Sequence, residues 1–202
     1  MRNQDTNVKT ISYALKTKPV ITSIVSDDDL EPVLRTTSNI VFLLTGNIFT
    51  LKGITERVQD AGKLMFVHLD LMEGLGKDTE SVRYLAEVIK VDGIVTTRSN
   101  IIMAAQKCGL ITIQRLFVFD SVSLDNGIRI IKSSRPDAIE VLPGIVVPRV
   151  IGRLRQEIDL PVIAGGLISD LNDLKCALEH GAIGVSTSSK ALWKWQDEQE
   201  KI

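Results

Sequence analysis

The chain is poor in the residues that staple, ligate or anchor. Of its 202 residues only two are cysteines and two are histidines. Cys108 and Cys176 lie far apart and neither has a CxxC partner, which argues against a disulfide framework and for reduced, mostly buried thiols. Two histidines are too few for a zinc or iron centre built on imidazole, and His180, just before Gly181, reads as a helix-end residue. No segment approaches the roughly 18 apolar residues of a membrane span. The amino end, "MRNQDTNVKTISYALKTKP", has no apolar run of signal-peptide length. These absences predict a soluble, cytoplasmic protein with no membrane partner. Charge of one sign is not in excess either: 24 Lys and Arg face 25 Asp and Glu. That excludes a wholly basic coat for nucleic acid but not a local basic patch. Linkers and low-complexity stretches are missing too, so residues 1–202 read as one domain, with 1–18 as an N-terminal lead-in.

What is present is repetition. Eight apolar runs of strand length follow one another: "VITSIV" (20–25), "IVFLL" (40–44), "LMFVHL" (64–69), "DGIVTT" (92–97), "LITIQRL" (110–116), "DAIEVL" (137–142), "PVIAGG" (161–166) and "AIGVST" (182–187). They are rich in Val and Ile, as strands buried on both faces are. Helix-like segments lie between them. "SDDDLEPVLR" opens with Ser26 as a capping residue, and "DTESVRYLAEVIK" places Val82, Leu85, Ala86 and Ile89 at helical spacing. "SNIIMAAQKCG" ends in Gly109, "SVSLDNGIRIIKSSRP" stops before Pro136, and "PRVIGRLRQEI", "SDLNDLKCALEHG" and "SKALWKWQDEQEKI" follow. Alternation on this scale calls for parallel strands with right-handed crossovers. At about 25 residues per unit, eight units predict a compact, single-domain (β/α)8 TIM barrel of the α/β class. A doubly wound open sheet is the alternative.

The working face of such a barrel lies at the carboxyl ends of its strands. Side chains alternate along a strand, so polar residues of the inward phase can be picked out. His68 and Asp70 share one face, with Val67 and Leu69 on the other. Thr112 and Gln114 are read as inward, with Ile111 and Ile113 outward. Glu140 shares the inward phase with Ala138, and Thr96 and Arg98 end the fourth strand. Each unpaired buried polar group costs about 1–3 kcal/mol, so several converging ones point to a ligand site. Gly165 and Gly166 end the seventh strand without side chains, which lets backbone N–H groups approach an anion. A helix start near Ser169 adds its positive dipole end. After the eighth strand, Ser186, Thr187, Ser188 and Ser189 offer amides and hydroxyls. Two adjacent anion-receptive loops fit a phosphate.

The stretches "FVHLDLMEGLG", "DGIVTTRSN", "GLITIQRLFVFDS", "PDAIEVLPG", "PVIAGGLIS" and "GAIGVSTSS" together resemble the glycerol-3-phosphate-responsive antiterminators, regulators of bacterial glycerol uptake and use. The resemblance runs from about Pro19 to Trp193. It implies a barrel that senses glycerol 3-phosphate as an effector, with no cofactor, and then binds an mRNA leader so that transcription passes a terminator. Carried onto this chain, it places phosphate at Gly165, Gly166, Ser186, Thr187 and Ser188. It places the glycerol end near His68, Asp70, Gln114, Arg115 and Glu140.

An enzyme acting on a glycerol phosphate or sugar phosphate (an isomerase, aldolase or phosphodiesterase) is the alternative. Asp70 and Glu140 would be its acid–base pair, or Asp70, Glu73 and Glu140 would hold a divalent metal. The strand runs contain no lysine, which argues against a Schiff-base aldolase. For RNA, Arg129, Lys132 and Arg135 lie on the helix after the fifth strand, and Arg149, Arg153 and Arg155 on the next. They form one candidate patch, with no aromatic residue among them. Trp193 and Trp195 point to different sides of the last helix, so one is expected in the core and the other outside, where it would suit a homodimer contact.

Overall fold

A computed structural model describes residues 4–199. Eight parallel strands close into a barrel in chain order: β1 (Val20–Ile24), β2 (Ile40–Leu43), β3 (Leu64–His68), β4 (Gly93–Thr96), β5 (Ile111–Phe117), β6 (Ala138–Leu142), β7 (Val162–Gly165) and β8 (Gly184–Thr187). Every strand lies within its apolar run or passes it by one residue. β8 returns to β1 in the register Val20↔Val185, Ile21↔Ser186 and Thr22↔Thr187, which closes the sheet and rules out the open arrangement.

The crossovers are α2 (Leu30–Arg35), α3 (Leu51–Asp60), α4 (Thr79–Tyr84), α5 (Ser99–Lys107), α6 (Ser121–Ser134), α7 (Val147–Glu157) and α8 (Leu171–Glu179); α9 (Lys190–Gln199) follows β8. α4 continues as a π-turn over Leu85–Ile89, and its Val82, Leu85 and Ile89 are buried as their spacing requires. α3 is a helix that the apolar pattern did not single out: "LKGITERVQD" buries only Leu51, Thr55 and Val58. Ser26 opens a 3-10 turn rather than α2 itself, and its N–H and hydroxyl both donate to Asp29, at 3.0 and 3.1 Å.

The lead-in holds a helix, α1 (Gln4–Thr17). Its Ile11, Ala14 and Leu15 are buried in the same cluster as Ile21, Phe42, Phe66 and Ile113, which fill the barrel interior. α1 therefore plugs the barrel at the amino ends of its strands. A second, larger apolar layer lies between barrel and helices and includes Val67, Leu69, Ile139 and Val141, the outward phase expected for β3 and β6.

The phase of β5 is the reverse of the expectation. Ile111 and Ile113 belong to the interior. Thr112 and Gln114 turn to the helix layer, where the Thr112 hydroxyl donates to Asp137 at 2.8 Å and Gln114 accepts from the Ser134 hydroxyl. Neither tryptophan stands free of the core. Trp193 is buried and its Nε1 donates to the Thr187 carbonyl at 2.9 Å, while Trp195 is partly buried against the outer layer. Among the described residues no helix is long and apolar enough to cross a membrane.

Because α1 closes the interior, truncating its plug should act like a core deletion. Leu15→Ala is expected to lower stability by about 2–5 kcal/mol in urea unfolding. A loss below about 1 kcal/mol would show that α1 is dispensable.

Candidate functional site

At the carboxyl ends of the strands a cavity of about 380 Å³ opens between the loops after β7 and β8. Gly166–Ser169 and Ser186–Ser189 form two of its walls, Ser23 and Val25 follow from β1, and Arg115 and Glu140 reach it from β5 and β6. Arg115 has the same inward phase as Ile111 and Ile113.

Glu140 is 0% exposed. Its Oε2 accepts from Arg115 Nε at 2.6 Å and its Oε1 from the Ser186 hydroxyl at 2.5 Å. Removing a carboxylate from water costs several kcal/mol, and only close charged and hydrogen-bonded partners offset that cost. Gly165 is the residue that makes room for this arrangement. A Cβ there would collide with Glu140 Oε1 and stand 2.7 Å from Ser186 Oγ. The first of the two glycines thus serves the buried carboxylate.

The second serves the loop. Gly166 lies on the cavity wall with φ +72°, and Leu167 follows with φ 58°, a left-handed pair that turns the chain back over the mouth. For a residue with a side chain this conformation costs roughly 1–2 kcal/mol. The two loops are tied together: the Thr187 hydroxyl donates to the Ile168 carbonyl at 2.9 Å and the Ser189 hydroxyl to the Ser169 carbonyl at 3.2 Å. Ser188 is exposed on the wall.

The dipole expected from the helix near Ser169 is already engaged. Asp170 caps α8 and accepts from the N–H groups of Asn172 and Asp173, at 2.8 and 3.0 Å. Asp173 in turn accepts from the Ser169 N–H at 3.3 Å. α9 starts beside the same cavity, and its Lys190 pairs with the buried Asp29 at 3.1 Å. Burial raises the pKa of Asp29, but Lys190 and the N–H groups of Val25 and Ser26 together hold it below the ordinary carboxylate value.

The residues expected at the glycerol end separate into two groups. His68 ends β3 in the inward phase, buried, and its Nδ1 has no hydrogen-bond partner. Burial, then the charge of Arg115, pushes its pKa down to about 4, so the ring is neutral near pH 7. Asp70 has left the strand for a 3-10 turn. It accepts from the Thr96 hydroxyl at 2.8 Å, the Thr97 N–H at 3.0 Å and Arg98 Nε at 2.9 Å. Burial pushes Asp70 up, yet these donors hold it below its usual range. Gln114 is absent from the mouth altogether, since it faces α6. Among the described residues no three His, Cys, Asp or Glu side chains gather in a metal-binding group, so Asp70, Glu73 and Glu140 do not form one.

The basic helices do adjoin, but they are partly neutralised. Lys132 pairs with Glu157, and Arg153 bridges Asp125 at 3.4 Å and Glu157 at 3.8 Å. Arg129 bonds Asn126, Arg155 donates to the Gly181 carbonyl at 3.1 Å, and Arg135 ends α6 in a left-handed conformation. Arg149, in the first turn of α7, is exposed and makes no ion pair among the described residues. His180 ends α8 as expected, with its Nδ1 2.8 Å from the Cys176 carbonyl; Cys176 is exposed and Cys108 half-buried, not buried as expected.

Two outcomes test this geometry. Gly165→Ala should cost about 1–3 kcal/mol, because the new methyl displaces Glu140 or Ser186; an unchanged urea midpoint would contradict the close approach. His68 gives a pH signature. Its folded pKa lies below the unfolded 6.5, so the unfolded chain binds the extra proton. Its contribution is full above pH 6.5 and fades as pH falls toward 4, by at most about 1.4 kcal/mol per pH unit. His68→Gln should flatten stability between pH 6.5 and 5; an identical slope in the variant would contradict the buried neutral ring.

Comparison with known proteins places the chain in a family. The family model described as "Glycerol-3-phosphate responsive antiterminator" matches residues 20–193. The "Uncharacterized protein YgcP" of Escherichia coli (strain K12) is 34% identical over 181 residues, 90% of this chain and 94% of that protein. Among solved structures, the glycerol uptake operon antiterminator regulatory protein from Listeria monocytogenes is 36% identical with a TM-score of 0.83, over 88% of this chain and 95% of that one. A glycerol uptake operon antiterminator-related protein from Thermotoga maritima is 32% identical with a TM-score of 0.78, over 88% and 99%. On sequence and fold together, the chain belongs to the glycerol-3-phosphate responsive antiterminator family.

Proposed function

We propose that this protein is a cytoplasmic regulator that binds glycerol 3-phosphate in the barrel mouth and, so loaded, binds an mRNA leader to prevent transcription termination of glycerol-utilisation genes. The observation that carries the ligand half is the cavity between the β7 and β8 loops, with Arg115 on its wall. The phosphate is assigned to the loops of Gly165, Gly166, Ser186, Thr187 and Ser188. The hydroxyls of Ser186 and Thr187 already donate to Glu140 and the Ile168 carbonyl, so the phosphate is assigned to the backbone N–H groups of Gly166 and Ser188, with Arg115 in the same cavity. The glycerol hydroxyls are assigned to Glu140, Arg115 and the neutral His68. Asp70 and Gln114 hold neighbouring elements instead.

The regulatory reading needs no chemical step. Glu140, the strongest candidate for an acid or base, has both oxygens engaged by Arg115 and Ser186. The ligand would act by differential binding: it tightens RNA binding, and RNA tightens ligand binding by the same factor, because the coupling is reciprocal.

Ser188→Asp sets a carboxylate on the exposed cavity wall without disturbing the core. It should weaken glycerol 3-phosphate binding at least about tenfold, or 1.4 kcal/mol, in calorimetry. Wild-type affinity in this variant would overturn the placement of the phosphate. Wild-type protein should be stabilised by about 2.7 kcal/mol at ligand one hundred times above Kd and should form no product. Turnover of any glycerol phosphoester would instead favour the enzyme.

A further inference from the structure

Of the five phenylalanines, Phe42 and Phe66 fill the barrel, but Phe49, Phe117 and Phe119 are exposed. Phe117 and Phe119 form a pair at the end of β5. Their rings are parallel, with centroids 6.0 Å apart, and Phe119 is 81% exposed. Val122, Ile145 and Leu167 are exposed on the same side of the barrel, in the segments that follow β5, β6 and β7. The backbone joins these segments. Val118 N–H donates to the Leu142 carbonyl at 2.8 Å, and Gly144 N–H to the Gly166 carbonyl at 2.8 Å. An apolar arc thus runs along three neighbouring loops to Leu167, which is also a wall of the ligand cavity.

Hydrogen bonds order the turn that carries Phe119. Asp120 caps α6 by accepting from the Ser123 N–H at 2.7 Å, and the Ser123 hydroxyl sits 2.9 Å from the Phe119 N–H, which donates to it. Exposed, parallel aromatic rings offer a stacking surface for planar bases, and stacking is how single-stranded nucleic acid is bound by aromatic side chains. Phosphates between such bases need a cation nearby. Arg149 lies one turn beyond Ile145 at the start of α7, exposed and without an ion pair among the described residues.

We infer that unpaired bases of the RNA dock on the Phe117–Phe119 pair at the barrel mouth, with Arg149 facing the adjoining phosphate. This rests on the regulatory reading above. It moves the RNA surface from the flanks of α6 and α7 to the rim, and it gives Leu167 a double position, on the ligand cavity and on the RNA arc. Glycerol 3-phosphate then couples to RNA through Leu167, the residue that the cavity and the arc share.

The test is anisotropy of a labelled transcript of the glycerol-operon leader with the full chain, with and without glycerol 3-phosphate. Calorimetry of ligand binding is run on the same proteins. Phe119→Ala, and Phe117→Ala with Phe119→Ala, should weaken RNA binding at least tenfold and leave ligand affinity within twofold. Phe119→Tyr, which keeps the ring, should retain RNA binding. If wild type binds RNA and the alanine variants bind it equally well, the docking surface is wrong and the regulatory reading stands. If wild type binds no RNA with ligand present, both are wrong. Loss of a dimer by the alanine variants in sedimentation, with RNA affinity unchanged, would make the arc a subunit contact and also overturn the inference.

Discussion

Glu140 sets the terms for the barrel mouth. A carboxylate with no exposed surface is tolerated only because Arg115 meets one oxygen and Ser186 the other. Those two partners come from β5 and β8, so a single side chain of β6 links three strands and reaches across β7 at Gly165. The arrangement dictates its neighbours. Gly165 must lack a side chain, β5 must carry Arg115 in the inward phase, and His68 stays neutral under the combined effect of burial and the arginine. A ligand entering the cavity therefore meets fixed groups, and fixed donors bind an anion without the cost of reorganising at the moment of binding.

Around that centre the loops are cross-tied. Ser189 bonds the β7 loop, Thr187 bonds Ile168, and Gly144 bonds Gly166. What remains conformationally strained at the mouth is Leu167, left-handed beside Gly166, where the proposed ligand and the apolar arc meet. Strain retained at such a junction is a common feature of ligand-responsive loops.

The strands were legible because a barrel strand is buried on both faces and shows as an unbroken Val/Ile run. The same fact hid the phase of β5. In "ITIQRL" polar and apolar residues alternate, but both faces are dry, so polarity does not tell inward from outward. Thr112 and Gln114 find partners in Asp137 and Ser134, which precede β6 and end α6, and only the tertiary structure brings those into range. Asp70 was legible as important, but its partners lie on the next strand end, so it braces Arg98 and Thr97. The basic stretch of α6 and α7 looked continuous in sequence; Glu157, just beyond it, pairs with Lys132 and Arg153 and neutralises it in part. α1 escaped as a plug because its apolar spacing is short and its neighbours are strand residues far along the chain.

The central claim is that glycerol 3-phosphate occupies the cavity between the β7 and β8 loops with its hydroxyls toward Glu140. A crystal structure of the protein with glycerol 3-phosphate tests it directly. The account predicts the phosphate within hydrogen-bond reach of the Gly166 and Ser188 backbone N–H groups and a glycerol hydroxyl on the Arg115–Glu140 pair. A ligand bound elsewhere, such as the groove lined by Lys9 and Tyr13 of α1, would contradict it.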